Sequence, residues 1–183
     1  MVYLGPMGVT PKRLAKIHEH FGNAALSIVK EDPFRLCEIK GFGFISVDPI
    51  AVKSKGFRLD TPLRIKAAIA HVLQKAQEDG HLYLTSEEIV VNASRLLNHG
   101  LDTEEVTARA IKDAGNEMIN KDHQLVGNAG GIYTKRSFDA EMGAAAVIAR
   151  LLLQQKMHVK VVHLLDRVQK EERIILNKRQ KEA

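Results

Sequence analysis

The feature that most restricts how this chain can fold is an imperfect internal repeat within residues 1–59, offset by 33 positions and brought into register by placing Gly8 on Gly41. Gly8-Val9-Thr10-Pro11-Lys12-Arg13-Leu14 then lies over Gly41-Phe42-Gly43-Phe44-Ile45-Ser46-Val47, and Ile17 lies over Ile50. In the first copy Thr10 is a natural N-cap. Pro11 suits the first helical position, because proline lacks an amide hydrogen that this position leaves unused. The spacing predicts a helix from there through Leu14, Ile17 and His18 to about Phe21, stopped by Gly22-Asn23. Residues 24–30 and 33–39 also carry apolar side chains at helical intervals, with Pro33 just inside the second start. The segment reads helix, turn, helix, twice. Gly41 and Gly43 fall in a very short connection between a helix ending near Ile39 and one beginning near Phe44, where positive φ or close backbone approach is needed.

Asp60-Thr61-Pro62 opens a further unit with another cap followed by proline. Ile65, Ala68, Ile69, Val72 and Leu73 form one apolar helix face that reaches about Glu78, where Asp79-Gly80 ends it. His81-Leu82-Tyr83-Leu84 alternates like a short strand. Thr85-Ser86-Glu87-Glu88 is a capping box for a helix carrying Ile89, Ala93 and Leu97. Asp102-Thr103-Glu104-Glu105 is expected to start the next helix, with Val106, Ala110, Ile111 and Met118. Short strands are predicted over 124–126 and 132–134, flanking a Gly-rich turn. Helix, strand, helix, helix and hairpin is a winged-helix order. Beyond it, helices are predicted over about 137–156 and 161–172. The fold class is therefore mainly α, with a tandem hairpin unit over 1–59, a winged-helix-like α+β unit over 60–135 and C-terminal connector helices over 136–183.

Charge is distributed unevenly over these segments. Residues 1–59 hold nine basic and five acidic side chains, net +4; residues 60–135 hold eight and eleven, net −3; residues 136–183 hold ten and six, net +4. Affinity for polyanions is expected at the ends, especially the first segment, while an acidic middle would repel phosphate and could take a protein partner. No run of about 18 apolar residues and no basic, apolar leader is present, so neither a membrane span nor a signal peptide is expected, and a cytoplasmic location is. The single cysteine, Cys37, excludes an internal disulfide and, beside Leu36 and Ile39, is expected to be a buried structural thiol.

A Gly-containing turn that leads into a helix leaves amide hydrogens pointing outward at the positive end of the helix dipole. Such a site binds phosphate oxygens without reading bases. Gly8, Thr10, Gly41 and Gly43 are the candidate backbone positions, and Lys12, Arg13 and Lys40 the candidate charge-assisted contacts. The alternative is that Gly41-Phe42-Gly43 only closes a tight helical turn, in a protein-interaction scaffold whose hairpins are purely structural. The eight histidines show no metal-ligand spacing: His18 and His20 point to different helix faces, and no His-Glu-x-x-His or Cys-x-x-Cys occurs. No metal site or catalytic constellation is expected. Because the third helix of the middle unit is expected to open on three carboxylates, a docking role suits that unit better than DNA contact.

Leu36-Cys37-Glu38-Ile39-Lys40-Gly41-Phe42-Gly43-Phe44 resembles a helix-hairpin-helix motif, a hydrophobic helix end followed by Gly-hydrophobic-Gly and a second helix. In the first copy Thr10 replaces the second glycine and Leu14 the usual small residue, and in the second Pro49 departs from the pattern and should shift or kink the helix. The order of units is similar to the N-terminal region of bacterial RecD-like ATP-dependent DNA helicases, related to the exodeoxyribonuclease V alpha subunit. The matching stretches run from Met7 through Phe21-Gly22, then from Asp32-Pro33-Phe34 through Phe44, then on to Ala149-Arg150-Leu151-Leu152. The C-terminal residues 175–183 look like the segment before a helicase ATPase core, with Gln180 at the position of an adenine-recognising glutamine. The resemblance implies an accessory region that binds the DNA backbone for a 5′ to 3′ helicase in recombination or repair. It also implies motor domains in the same parent chain, with ATP and Mg as their cofactors. The Gly-x-x-x-x-Gly-Lys-Ser/Thr phosphate loop of such a motor is expected shortly after residue 183, and no cofactor is expected within 1–183.

Overall fold

In the computed structural model, which describes residues 9–53, 57–101, 105–153, 161–177 and 180, helix α1 (Pro11–Phe21) starts where its sequence signals place it. The hydroxyl of Thr10 accepts from the amide of Arg13 at 3.4 Å, and Gly22, at φ +56°, ends the helix. Helix α2 (Ala25–Glu31) follows. The Asp32 carboxylate then accepts from the amide of Phe34 at 3.0 Å and starts Pro33–Glu38, which is a 3-10 helix rather than an α-helix. Pro33, Leu36 and Ile39 are all buried at intervals of three, and that period matches the three-residue turn of a 3-10 helix. Helix α3 (Phe44–Val52) runs on through Pro49. Proline removes the hydrogen bond that would reach the carbonyl of Ile45, and both residues are exposed, so water can serve that carbonyl.

Helix α4 (Pro62–Glu78) ends as expected at Asp79-Gly80, where Gly80 adopts φ +92° and the amide of His81 reaches back to the carbonyl of Ala76 at 2.8 Å. Strand β1 (Tyr83–Leu84) leads into α5 (Ser86–Leu97) through a complete capping box between Thr85 and Glu88. The next helix, α6 (Ala108–Asn120), begins later than residues 102–105, and its cap is Thr107. Residues 102–104 lie outside the described residues, and Glu105 and Val106 precede the helix. The side-chain amide of Asn98 explains the delay: it donates to the carbonyl of Val106 and accepts from its amide, each at 2.9 Å, which pins fully buried Val106 in non-helical backbone. Strands β2 (Leu125–Asn128) and β3 (Gly131–Thr134) complete an antiparallel sheet in the order β1-β3-β2, with Tyr83 opposite Tyr133 and Leu125 opposite Thr134. The observed class is mainly α with one small three-stranded sheet.

The chain divides into two compact units, Met1–Glu141 and Met142–Ala183. In the first, one buried cluster runs from Val9 through Phe34, Phe44, Ile69 and Leu97 to Leu125. Helix α7 (Lys135–Leu153) begins in this unit and continues into the second, which also holds α8 (Val161–Glu172). Among the described residues no helix is long and apolar enough to cross a membrane.

A buried ion pair joins α3 to α4. Arg64 has only 5% of its side chain exposed, and its guanidinium donates to both oxygens of Asp48, at 2.7 and 2.8 Å. Its remaining donors reach the carbonyls of Leu59 at 3.0 Å and Leu97 at 3.2 Å. On α4's other side, Lys66 bridges Glu117 and Asp122 at 3.0 and 2.8 Å, which ties the helix to the end of α6.

Removing one partner of a buried pair leaves an uncompensated charge, whereas replacing both with apolar residues need not. Asp48→Ala is therefore expected to destabilise the protein by about 3 kcal/mol. The double variant Asp48→Leu, Arg64→Met is expected to lose less, as read by urea unfolding; equal losses would assign the cost to the lost pair itself rather than to the charge that the single variant strands.

Candidate nucleic-acid interface

The second hairpin is built by a turn from Ile39 to Phe42, closed by the amide of Phe42 donating to the carbonyl of Ile39 at 2.9 Å. Gly41 occupies the third position of this turn with φ +93°, a conformation that other residues adopt only with strain. Phe42 points inward and is 3% exposed, which anchors the turn while the flanking Lys40, Gly41 and Gly43 stay on the surface. Gly43 then serves as the N-cap of α3 in extended conformation, and no side chain caps this helix start. The amide of Ser46 turns back to the carbonyl of Gly43 at 2.9 Å. The first amides of α3 thus face an open surface at the positive end of the helix dipole. A Cβ placed on Gly43 would meet nothing within 4 Å, so the space beside this cap residue is clear.

The cations around this turn come from two elements. Arg13 of α1 lies over the ring of Phe42, 5.2 Å from its centroid. Lys16, one turn further along α1, donates from Nζ to the carbonyl of Lys40 at 3.4 Å. Lys16 is absent from the residues expected from sequence, although its position three residues after Arg13 puts both on one helix face. Lys40 is exposed on the turn itself, and Lys12 is exposed in the first turn of α1.

The first hairpin is different. Gly8 lies outside the described residues, and the hydroxyl of Thr10 already accepts from the amide of Arg13. Where Gly43 leaves a helix start open, Thr10 closes one. In the second unit the carboxamide oxygen of Gln180 accepts from the amide of Asn177 at 3.0 Å, and the side chain of Asn177 accepts from the amide of Gln180 at 3.0 Å. Gln180 therefore makes a local reciprocal cap. Among the described residues no group of three or more His, Cys, Asp or Glu could hold a metal ion.

Two acidic residues border the hairpin. Glu38 is held below the usual carboxylate range, first by its hydrogen bonds from Arg35 and also by the charges of Arg35 and His20. The Arg35 guanidinium meets it at 2.9 Å. Cys37 corrects the expectation of a buried thiol: its side chain is exposed, because Leu36 and Ile39 take the two inward positions of the 3-10 turn. Partial desolvation, with the nearby Asp32 carboxylate, nevertheless pushes its pKa up to about 11.

A very short positive-φ turn between two helical segments, with an uncapped helix start and a cationic rim, defines a helix-hairpin-helix region. Residues 1–83 match a family model described as the HHH domain of the ATP-dependent RecD2 DNA helicase. Over 94 residues the chain is 34% identical to the ATP-dependent RecD2 DNA helicase of Deinococcus radiodurans, in an alignment covering 49% of this chain and 13% of that protein. The N-terminal part of the chain is thus similar to the helix-hairpin-helix region of RecD-like helicases, and the matched portion spans about an eighth of the length of that relative.

Two outcomes follow from the geometry. Gly41→Ala is expected to cost about 1 kcal/mol or more in urea unfolding, from its positive φ, whereas Gly43→Ala should be close to neutral. Cys37, though exposed, should react with iodoacetamide at pH 7.5 more than roughly tenfold slower than a cysteine in an unstructured peptide, because so little of it is thiolate.

Proposed function

We propose that this chain is a DNA-backbone-binding accessory region, indifferent to base sequence, of an ATP-dependent 5′ to 3′ helicase acting in DNA recombination or repair. The observation that carries the reading is the open start of α3 behind the Gly41 turn, ringed by Arg13, Lys16 and Lys40. Amides at a helix start bind phosphate oxygens through fixed dipoles, and the three cations add a screened attraction that no base sequence alters. Gly43, Phe44 and Ile45 supply the candidate backbone donors. Arg13, held against the Phe42 ring, is the most constrained of the cations.

The remaining parts fit roles around this contact. The α4 to β3 segment has the element order of a winged-helix unit and suits docking within the parent protein. Helix α7 exposes Val147, Ile148, Leu151 and Leu152, a surface fitted to a connector that packs on motor domains of the same parent chain. ATP and Mg are the cofactors of those motor domains in this reading.

Fluorescence anisotropy with short DNAs of unrelated sequence tests the proposal. Affinities are expected to be alike across sequences and to fall linearly with the logarithm of salt concentration. Arg13→Ala, Lys16→Ala and Lys40→Ala should each weaken binding to all sequences and lower the salt slope by roughly one. Gly43→Ala, whose Cβ enters the clear space beside the cap residue without disturbing the fold, should weaken binding as well. Absent or salt-insensitive binding would overturn the reading in favour of a protein-interaction scaffold.

A further inference from the structure

A second concave surface lies on α4 and α5, meeting the surface around the Gly41 turn at His71, and the DNA-binding reading does not use it. It is a cleft of about 500 Å³ between one face of α4, one face of α5 and the approach to β1. Val72, Ala76, Leu84 and Leu96 form an aliphatic floor. The α4 wall carries His71, Lys75 and Asp79, the α5 wall carries Asn92, Arg95 and His99, and His81 closes one end.

The two walls differ in charge. On α4, Lys75 is neutralised by Glu78 at 3.1 Å and Asp79 at 3.8 Å. On α5, Arg95 has no ion-pair or hydrogen-bond partner among the described residues, and it shares its helix face with Asn92 and His99 at intervals of three and four. Burial holds the pKa of His71 below its ordinary value, so that imidazole is neutral at neutral pH, and its ring stacks on Phe44 at 5.9 Å. The acidic residues that make the 60–135 segment net negative lie largely elsewhere: Glu88 in the α5 capping box, Glu117 and Asp122 on Lys66.

We propose that this cleft docks a peptide segment of a partner protein that combines carboxylates with large apolar side chains, its apolar groups on the aliphatic floor and a carboxylate on Arg95. The charge complementarity is specific to the α5 wall, where a donor-only guanidinium stands unpaired beside an apolar surface. Nucleic acid fits less well. The floor is aliphatic, a match for large apolar side chains rather than for the faces of bases. The segment-wide charge is −3, but the charge left unpaired at this cleft is the positive one of Arg95.

The probe is a fluorescein-labelled eight-residue peptide alternating Asp with Leu and Phe, titrated with the full chain. Saturable binding is expected. Arg95→Glu, an exposed substitution, should weaken it roughly tenfold or more, with an unchanged circular dichroism spectrum and unchanged DNA affinity. A matched peptide with Lys in place of Asp should bind the Arg95→Glu variant better than the parent chain. Failure of the acidic peptide to saturate, or indifference of its binding to Arg95→Glu, would overturn the proposal. So would Arg95→Glu weakening DNA binding with no peptide bound, which would make the cleft a nucleic-acid surface. Because DNA and peptide are read separately, failure of this site leaves the hairpin reading untouched.

Discussion

A guanidinium withdrawn from water has to find a carboxylate and enough carbonyl oxygens for its remaining donors, and Arg64 finds them on three separate stretches of chain. Asp48 lies on the helix that follows the hairpin, Leu59 on the link into α4, and Leu97 at the end of α5. The pair therefore fixes the hairpin helix against two helices of the following unit, at distances that tolerate little sliding. Hydrophobic contacts alone would permit several near-equivalent packings of α3 on α4, because apolar burial has no direction. A bidentate pair is met in only one of them. The direction in which the start of α3 faces is thus set some distance away from the turn itself, by Arg64 on α4.

Given that orientation, the two halves of the internal repeat can diverge without loss. The first copy retains its helix but closes its amide end with Thr10, and its cations lean across to the second copy. Arg13 rests on Phe42 and Lys16 holds the carbonyl of Lys40. Where the repeat offers two candidate sites, the proposed phosphate site is a single one assembled from both copies. The arrangement also stiffens the turn: Phe42 is fixed from below by burial and from above by Arg13, while Lys16 ties down the peptide before Gly41.

Legibility from sequence follows the range of the interaction involved. Local hydrogen-bonding chemistry was readable: the caps at Thr10 and Thr85, the stop at Gly80 and the positive φ at Gly41 each depend on residues within a few positions. Interactions across longer spans were not. The start of α6 depends on Asn98, eight residues before Val106, and nothing in residues 102–105 announces that. Arg64 reads as an ordinary amphipathic-helix cation until Asp48 is placed beside it. Cys37 shows a second kind of error, in the type of helix. An α-helix over these residues was expected to bury the thiol, whereas the 3-10 helix buries Pro33, Phe34 and Leu36 and leaves the thiol outside.

Segment-wide charge proves a poor guide to local field for the same reason. Around the hairpin, Glu38 is ionised but already matched by Arg35, so that pair contributes little beyond its own neighbourhood. The cations left to act on a phosphate are Arg13, Lys16 and Lys40, and each sits on the Gly41 side of the turn. Lys66, which borders the groove between the hairpin and α4, is matched twice over by Glu117 and Asp122 and adds no net attraction there. A phosphate approaching this surface therefore meets positive potential in front of the α3 amides and close to neutral ground along α4. The dipoles and the side-chain charges agree on one position, and that agreement, rather than the net +4 of the segment, is the ground for the proposed site.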